Sequence, residues 1–382
     1  MLIRIYQKIR SLIAKNEINL VLTNVFNTSF NRKVLISYLT NPFTRGISKY
    51  HTNLLECYTA AEIFKELGYD VDVMDFRSTL QPDYSTYAAI YGFGNPLENY
   101  FYTSVFPSIK TFTYGTGCYP VYSDAVSIER VRELYRKKGR LLVNSARVAE
   151  HSRIWHYYMS DVLIVLGNSF TVNTYQPLQH PNLHHLNAFY HSINNIEPIQ
   201  KDFAAAKKNY LWFGSQGAVH KGLDLLLEVF SAREDISLHI CGLGRSEGLA
   251  ELYSNELSLE NIHDHGWVDL DSQEFINLMM KCGFCIFPSI SEGGAPAVLT
   301  VVGNGGLIPV ISKAAGLDLV EWGYIMEEVN AAAIAKALDD TQAFPIEKIA
   351  ALSDKAHKHV KEEYTHTNYK KKLKTIISKN LI

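Results

Sequence analysis

Two loops carry residue types whose order suits chemistry on a phosphate-bearing sugar. In FGSQGAVHKGLDLLL (213–227), Gly214, Gly217 and Gly222 free the backbone and Lys221 stands just before a helical run. A helix N-terminus offers unpaired N–H groups and partial positive charge, so with a lysine beside it the loop suits a diphosphate. The Walker order Gly-x-x-x-x-Gly-Lys-Ser/Thr is absent. The plain alternative is a Gly-rich turn with a solvated lysine. In FPSISEGGAPAVLTVVGNGGLIPVIS (287–312), an apolar strand ends, Glu292 and two glycines follow, and a helix opens near Pro296, a residue suited to a first turn. There the amides of Gly293, Gly294 and Ala295 would face an oxygen-rich ligand, while Glu292 accepts from vicinal hydroxyls. The alternative is that Glu292 only charges the first turn of its helix.

These loops need strands that end at them. From Lys33 the chain reads as strands KVLISYL, YDVDVMDF, YAAIYGFG, IKTFTYG, RLLVNSA and DVLIVLG. Between the first two, Leu54, Tyr58, Ala61 and Phe64 mark one helix face that ends at Gly68. Residues 184–208 read as a polar linker. A second series follows with YLWFG, ISLHICG, NIHDHGW, GFCIFPS, LIPVIS and YIMEE, separated by helices such as SQEFINLMMKC. Alternating strands and helices predict an α/β protein of two Rossmann-like parallel-sheet domains facing across a cleft. The domains are placed at 31–190 and 205–360, after an extension over 1–30. Open α/β sheets bind ligands beyond their strand carboxyl ends, and clefts between domains are favoured sites.

Composition agrees with two cores: 382 residues, 47% apolar and 20% charged. A net charge of −2 argues against a nucleic-acid binder. Cys57, Cys118, Cys241, Cys282 and Cys285 are odd in number and scattered, which suits a reducing compartment, and the single Cys-x-x-Cys at 282–285 reads as buried thiols. Asp70, Asp72 and Asp75 read as ordinary loop and edge carboxylates rather than a metal site. In residues 1–15, Leu2, Ile5, Tyr6, Ile9, Leu12 and Ile13 keep helical spacing opposite Arg4, Lys8 and Lys15. Such a helix either lies on an anionic membrane or docks on its own protein. Aromatics reach 12%, most of them expected in the core.

The second half resembles the C-terminal domain of the retaining GT-B glycosyltransferases of the large family four, the group 1 glycosyltransferases. Lys221-Gly222, then Ser289-Ile290-Ser291-Glu292-Gly293, then Gly306-Leu307-Ile308-Pro309-Val310 match that family's order and spacing. Asn187-Ala188-Phe189 is similar to its interdomain motif, and Arg45-Gly46-Ile47 resembles its acceptor-domain glycine loop. The resemblance covers about residues 32–380. It implies a nucleotide-sugar donor in the second domain, a glycan or lipid-linked saccharide acceptor in the first, no cofactor and no metal, with a cytoplasmic location at or near the membrane. The C-terminal helix, 361–382, is then expected to pack back on the first domain. In that scheme Lys221 stabilises the departing diphosphate while Glu292 orients the sugar. Gly214, Gln216, Gly293, Gly294, Ala295, Thr300 and Trp267 hold the donor, and Arg45, Gly46 and His51 belong to the acceptor or phosphate loop. Arg147 and His151 are further candidates for the cleft wall.

Three positions depart from the family. Thr300 stands where a second glutamate usually holds the ribose, Gln216 where the phosphate loop has an arginine, and Tyr114-Gly115-Thr116 where a first-domain strand often ends in histidine. Two rivals to transfer stay open: a GT-B sugar-nucleotide epimerase, and a non-catalytic glycan-binding or partner subunit on the same scaffold.

Overall fold

The computed structural model describes residues 18–103, 109–149, 154–193, 201–319 and 321–381. The expected N-terminal amphipathic helix and His151 lie outside them. The first sheet holds β1 (Val21–Leu22), β2 (Arg32–Tyr38), β3 (Tyr69–Asp75), β4 (Ala89–Gly92), β5 (Lys110–Gly115), β6 (Val162–Leu166) and β7 (Leu183–Leu186). Its order is β1-β3-β2-β4-β5-β6-β7, all parallel except the short edge β1. The second sheet holds β8 (Asn209–Phe213), β9 (Ser237–Cys241), β10 (Ile262–Asp264), β11 (Phe284–Phe287), β12 (Ile308–Ser312) and β13 (Tyr324–Met326). It is wholly parallel in the order β10-β9-β8-β11-β12-β13. Continuous apolar runs such as Val162–Leu166 are buried throughout, as strands covered on both faces must be.

In each sheet the strand order reverses once, between β2 and β4 in the first and between β8 and β11 in the second. Loops leaving neighbouring strands there diverge to opposite faces and open a crevice. Six helices bear on the site: α1 (Thr52–Glu66), α2 (Pro120–Lys138), α3 (Leu223–Phe230), α4 (Pro296–Gly305), α5 (Ile346–Glu363) and α6 (His366–Asn380). Helix α5 packs on α4, and α6 returns to the first domain against α1. There Lys370 pairs with Glu62 at 2.6 Å and Glu66 at 2.7 Å, and His366 Nε2 lies 2.7 Å from Thr59 Oγ1.

Two local expectations fail. RLLVNSA is no strand but a surface stretch with one short turn of 3-10 helix, Val143–Ser145. The sheet position beside β5 is already taken by β6, so Leu141 and Val143 stay exposed. Conversely, Leu183–Leu186, read as linker, is the edge strand β7. An edge strand needs only one buried face, which hid it in a histidine-rich sequence. All five cysteines are buried and unpaired. Asp70, Asp72 and Asp75 are structural acceptors: Asp70 for Thr28 and Phe30, Asp72 for Lys33, Asn24 and Tyr87, and Asp75 for Arg77. Most of the aromatic excess is interior, including Tyr91, Tyr114, Tyr175 and Tyr210.

Candidate active site

A cavity of about 620 Å³ lies between the domains at the strand carboxyl ends, walled by the loops that leave β2, β4 and β5 on one side and β8 and β11 on the other. Gly214, Gln216, Lys221, Trp267, Glu292, Gly293, Ala295, Thr300 and His51 all line it. Gly294 does not; its backbone, at φ 86°, turns against Ala188 and Gly316. Arg45 and Gly46 are also outside the lining. Arg45 closes a single turn at Asn41–Thr44 on the surface, and the first domain instead offers Lys49, Tyr50 and His51 from the same loop.

Glu292 follows β11 and is nearly buried, its side chain 11% exposed. Ser289 Oγ donates to Oε1 at 3.1 Å, and Arg147 Nη1 donates to Oε2 at 3.2 Å and Oε1 at 3.3 Å. Burial pushes its pKa up, but Arg147, Lys221 and His220 outweigh that and hold the carboxyl below its ordinary value. Gly293 is required by packing: a Cβ there would sit 2.2 Å from the Thr116 carbonyl oxygen of the first domain. Ala295 is left-handed at φ 37°, ψ 65° just before α4, a conformation that costs a non-glycine residue about 1–3 kcal/mol. Among the described residues the amides of Gly293, Gly294 and Ala295 have no acceptor. Pro296 then sets the first turn of α4.

The loop after β8 is less open than its glycines suggest. The amides of Gly217 and Ala218 both donate to the buried Glu247 carboxylate at 2.8 Å. Those two donors serve the protein and are not offered to a ligand, which corrects the expectation of a fully open glycine loop. Glu247 had no sequence signal of its own, because nothing in RSEGL says that a carboxylate folds back under a loop 30 residues earlier. Lys221 is buried and its Nζ donates to the Gln216 carbonyl. Burial, then Arg147, lower its pKa to about 8, against the opposing pull of Glu292 and Glu247. His220 is buried too, with Nε2 2.7 Å from the Ser291 carbonyl and Nδ1 3.1 Å from Ser127 Oγ of α2. Burial and Arg147 push its pKa down to about 4, so it is neutral at physiological pH.

Thr300 donates its hydroxyl to the Pro296 carbonyl at 2.8 Å and accepts from the His191 amide at 3.3 Å. It therefore offers no carboxylate and little free hydrogen-bonding capacity. His51 caps α1, its Nδ1 accepting from the Asn53 amide at 3.1 Å. Its crowded position, Arg147 and Lys221 lower its pKa, although the ring opens onto cleft solvent. Trp267, 61% exposed, meets Tyr50 of the first domain with ring centroids 5.8 Å apart, beside a Lys49–Asp271 pair at 2.7 Å. Sequence reading missed Glu56, a cavity-lining carboxylate of α1 that accepts from Tyr38 at 2.9 Å and Tyr114 at 3.1 Å. Burial raises its pKa. Among the described residues no His, Cys, Asp or Glu group is arranged to hold a metal ion.

The domains are also joined outside the cavity. From α2, Arg130 reaches the buried Asp224 at 2.7 Å, Lys137 pairs with Glu228, and Lys138 lies 3.4 Å from Glu256. Just beyond the helix, Arg140 lies 2.5 Å from Glu251.

Two parallel-sheet domains, with a cleft carrying a lysine loop and a Glu-Gly-Gly turn, define the GT-B architecture. Residues 207–342, which lie within the second domain, match the family model described as glycosyl transferases group 1. Among solved structures, sucrose-phosphate synthase from Thermosynechococcus elongatus is similar at TM-score 0.62 and 12% identity, covering 91% of this chain and 98% of that one. A glycosyltransferase from Rickettsia africae is similar at TM-score 0.59 and 13% identity, covering 92% and 99%. Anabaena HepE, solved with UDP-glucose, is similar at TM-score 0.57 and 12% identity, covering 91% and 99%. The alignment with S. aureus TarM covers 79% of this chain and a little over half, 56%, of that one, at TM-score 0.54 and 12% identity. At such identities the likeness is one of fold. No curated protein sequence matches the chain.

Proposed function

We propose that the chain is a retaining, metal-independent glycosyltransferase that moves a sugar from a nucleotide-sugar donor to a glycan or lipid-linked acceptor in cell-envelope polysaccharide synthesis. The observation that carries this is the joining of Glu292 and Lys221 at one cavity wall, on loops flanking the strand-order reversal of a group 1 glycosyltransferase domain. The UDP-glucose seen in Anabaena HepE is consistent with it. In this reading Lys221 and the amides of Gly293 and Ala295 stabilise charge that builds on the departing diphosphate, as donors already in place before that charge develops. Glu292, held by Ser289 and Arg147, accepts from sugar hydroxyls and fixes the anomeric carbon toward the first domain. The departing phosphate deprotonates the acceptor on the same face, which retains configuration. Work at the inner face of the plasma membrane is part of the proposal; no described helix is long and apolar enough to cross a membrane.

Glu247, Thr300 and Gln216 favour a second reading, a non-catalytic subunit, because they occupy or replace groups that would hold a donor. Calorimetric titration with nucleotides and nucleotide sugars decides between the two. Transfer predicts nucleotide-sugar binding with slow donor hydrolysis that is lost in Glu292→Ala and Lys221→Ala; absence of any nucleotide binding would sink it.

A further inference from the structure

The loop after β8 lacks its arginine and has lent two amides to Glu247, yet a guanidinium stands over it. Arg147 comes from the first domain, where its own amide donates to Ser127 Oγ at 2.8 Å. Its Cγ and Cδ cross Gly217 so closely that a Cβ there would meet them at 2.5 and 2.6 Å. The side chain, 47% exposed, borders the cavity with Gly214, Gln216 and Lys221. Only Nη1 is engaged, on Glu292; among the described residues Nε and Nη2 have no acceptor. We propose that Arg147 is the second cation of a nucleoside-diphosphate site, supplying from the first domain the charge that Gln216 does not supply from the loop. The proposal rests on the transferase reading above.

The chemistry fits the free nitrogens. A guanidinium that keeps Nη1 on Glu292 still presents an Nε and Nη2 edge, the paired-donor geometry that suits phosphate oxygens. Lys221 is a single point charge nearby, and Arg147 follows burial among the causes that depress the pKa of Lys221 and of His220. An anion between them would relieve that repulsion. The hydroxyl of Ser127 links three pieces of the site, taking the Arg147 amide, facing His220 Nδ1, and through His220 reaching the Ser291 carbonyl beside Glu292. The diphosphate grip is therefore complete only when the domains are closed, so binding the leaving group and assembling the site are one event.

The test is calorimetry with UDP, GDP and ADP on the full chain, taking as probe the one that wild type binds most tightly and its nucleoside monophosphate as control. Arg147→Gln is expected to weaken the diphosphate about 10- to 100-fold, the range of a charged hydrogen bond, and to leave the monophosphate within about threefold. Arg147→Lys should fall between, and Gln216→Arg added to Arg147→Gln should recover most of the loss. Diphosphate affinity unchanged in Arg147→Gln, equal loss for mono- and diphosphate, or no recovery with Gln216→Arg overturns the proposal while leaving the transferase reading intact. If Arg147→Gln does not fold, the same comparisons on Arg147→Lys decide. Wild type binding none of the three nucleotides overturns the transferase reading itself.

Discussion

The second domain brings to the cleft two loops anchored at strand ends, and the first brings side chains from scattered places. On the second side, Gly293 and Ala295 line the cavity on a turn whose amides have no acceptor among the described residues, and Lys221 is tied to a loop carbonyl. On the first side, Tyr50, His51, Glu56 and Arg147 reach in from a loop, a helix and a surface stretch. Backbone geometry is set by strand ends and is hard to vary; side chains change with single substitutions. For the proposed transferase, this division would keep the donor side fixed while the acceptor side is free to diverge.

The sharpest way to test that division is to remove the two second-domain groups. Glu292→Gln or Lys221→Met should lower the transfer rate by about 100- to 1000-fold, measured as kcat with a labelled donor, whereas Tyr50→Ala in the first domain should change it only a few-fold. If the three variants lose activity equally, the donor half has no privileged groups. Next in size is the buried Arg130–Asp224 pair, which joins the halves. Asp224 has its pKa pushed up to about 6 by burial, against the pull of Arg130. Arg130→Met leaves that carboxylate uncompensated and should cost about 3–5 kcal/mol, read by denaturant unfolding; a loss under about 1 kcal/mol would mean the domains do not depend on the pair.

Gly293→Ala probes the contact itself. Its Cβ, 2.2 Å from the Thr116 oxygen, should hold the domains apart, increasing the radius of gyration in small-angle scattering and cutting kcat/KM at least about tenfold. A variant as compact and active as wild type would show that Thr116 yields. The smallest effect is with pH. Lys221 has a folded pKa lowered to about 8, so its charge is present below that and lost above it. Diphosphate affinity should fall as pH rises through about 8, and Lys221→Met should flatten the profile in that window. Stability moves the opposite way: the fold disfavours the charged lysine, so this group destabilises at pH below about 8 and ceases to as pH rises toward its ordinary lysine value.

Much of the second domain's side of the cleft was legible because its signals are local. A strand end, a glycine pair, an acid and Pro296 within a few residues define a turn whatever surrounds it, and burial of β8 and β11 follows from unbroken apolar runs. The first domain's side was read less well. Arg45-Gly46 has the composition of a binding loop, yet the cavity takes Lys49 to His51 from a few residues further on. Glu56 looks like a solvated helix acid until Tyr38 and Tyr114 close over it.

Strand periodicity and turn chemistry act over a few residues, so the sequence already specified two parallel α/β sheets and the loops that carry Lys221 and Glu292, but not the strand order. Docking of distant segments is what makes Glu247 fill the amides of the lysine loop, Thr300 accept from the His191 amide, and Arg147 cross Gly217 to reach Glu292. The Glu247 and Arg147 contacts join residues 29 or more positions apart, and the second also spans two domains. Such contacts depend on how the sheets dock, which no local pattern records.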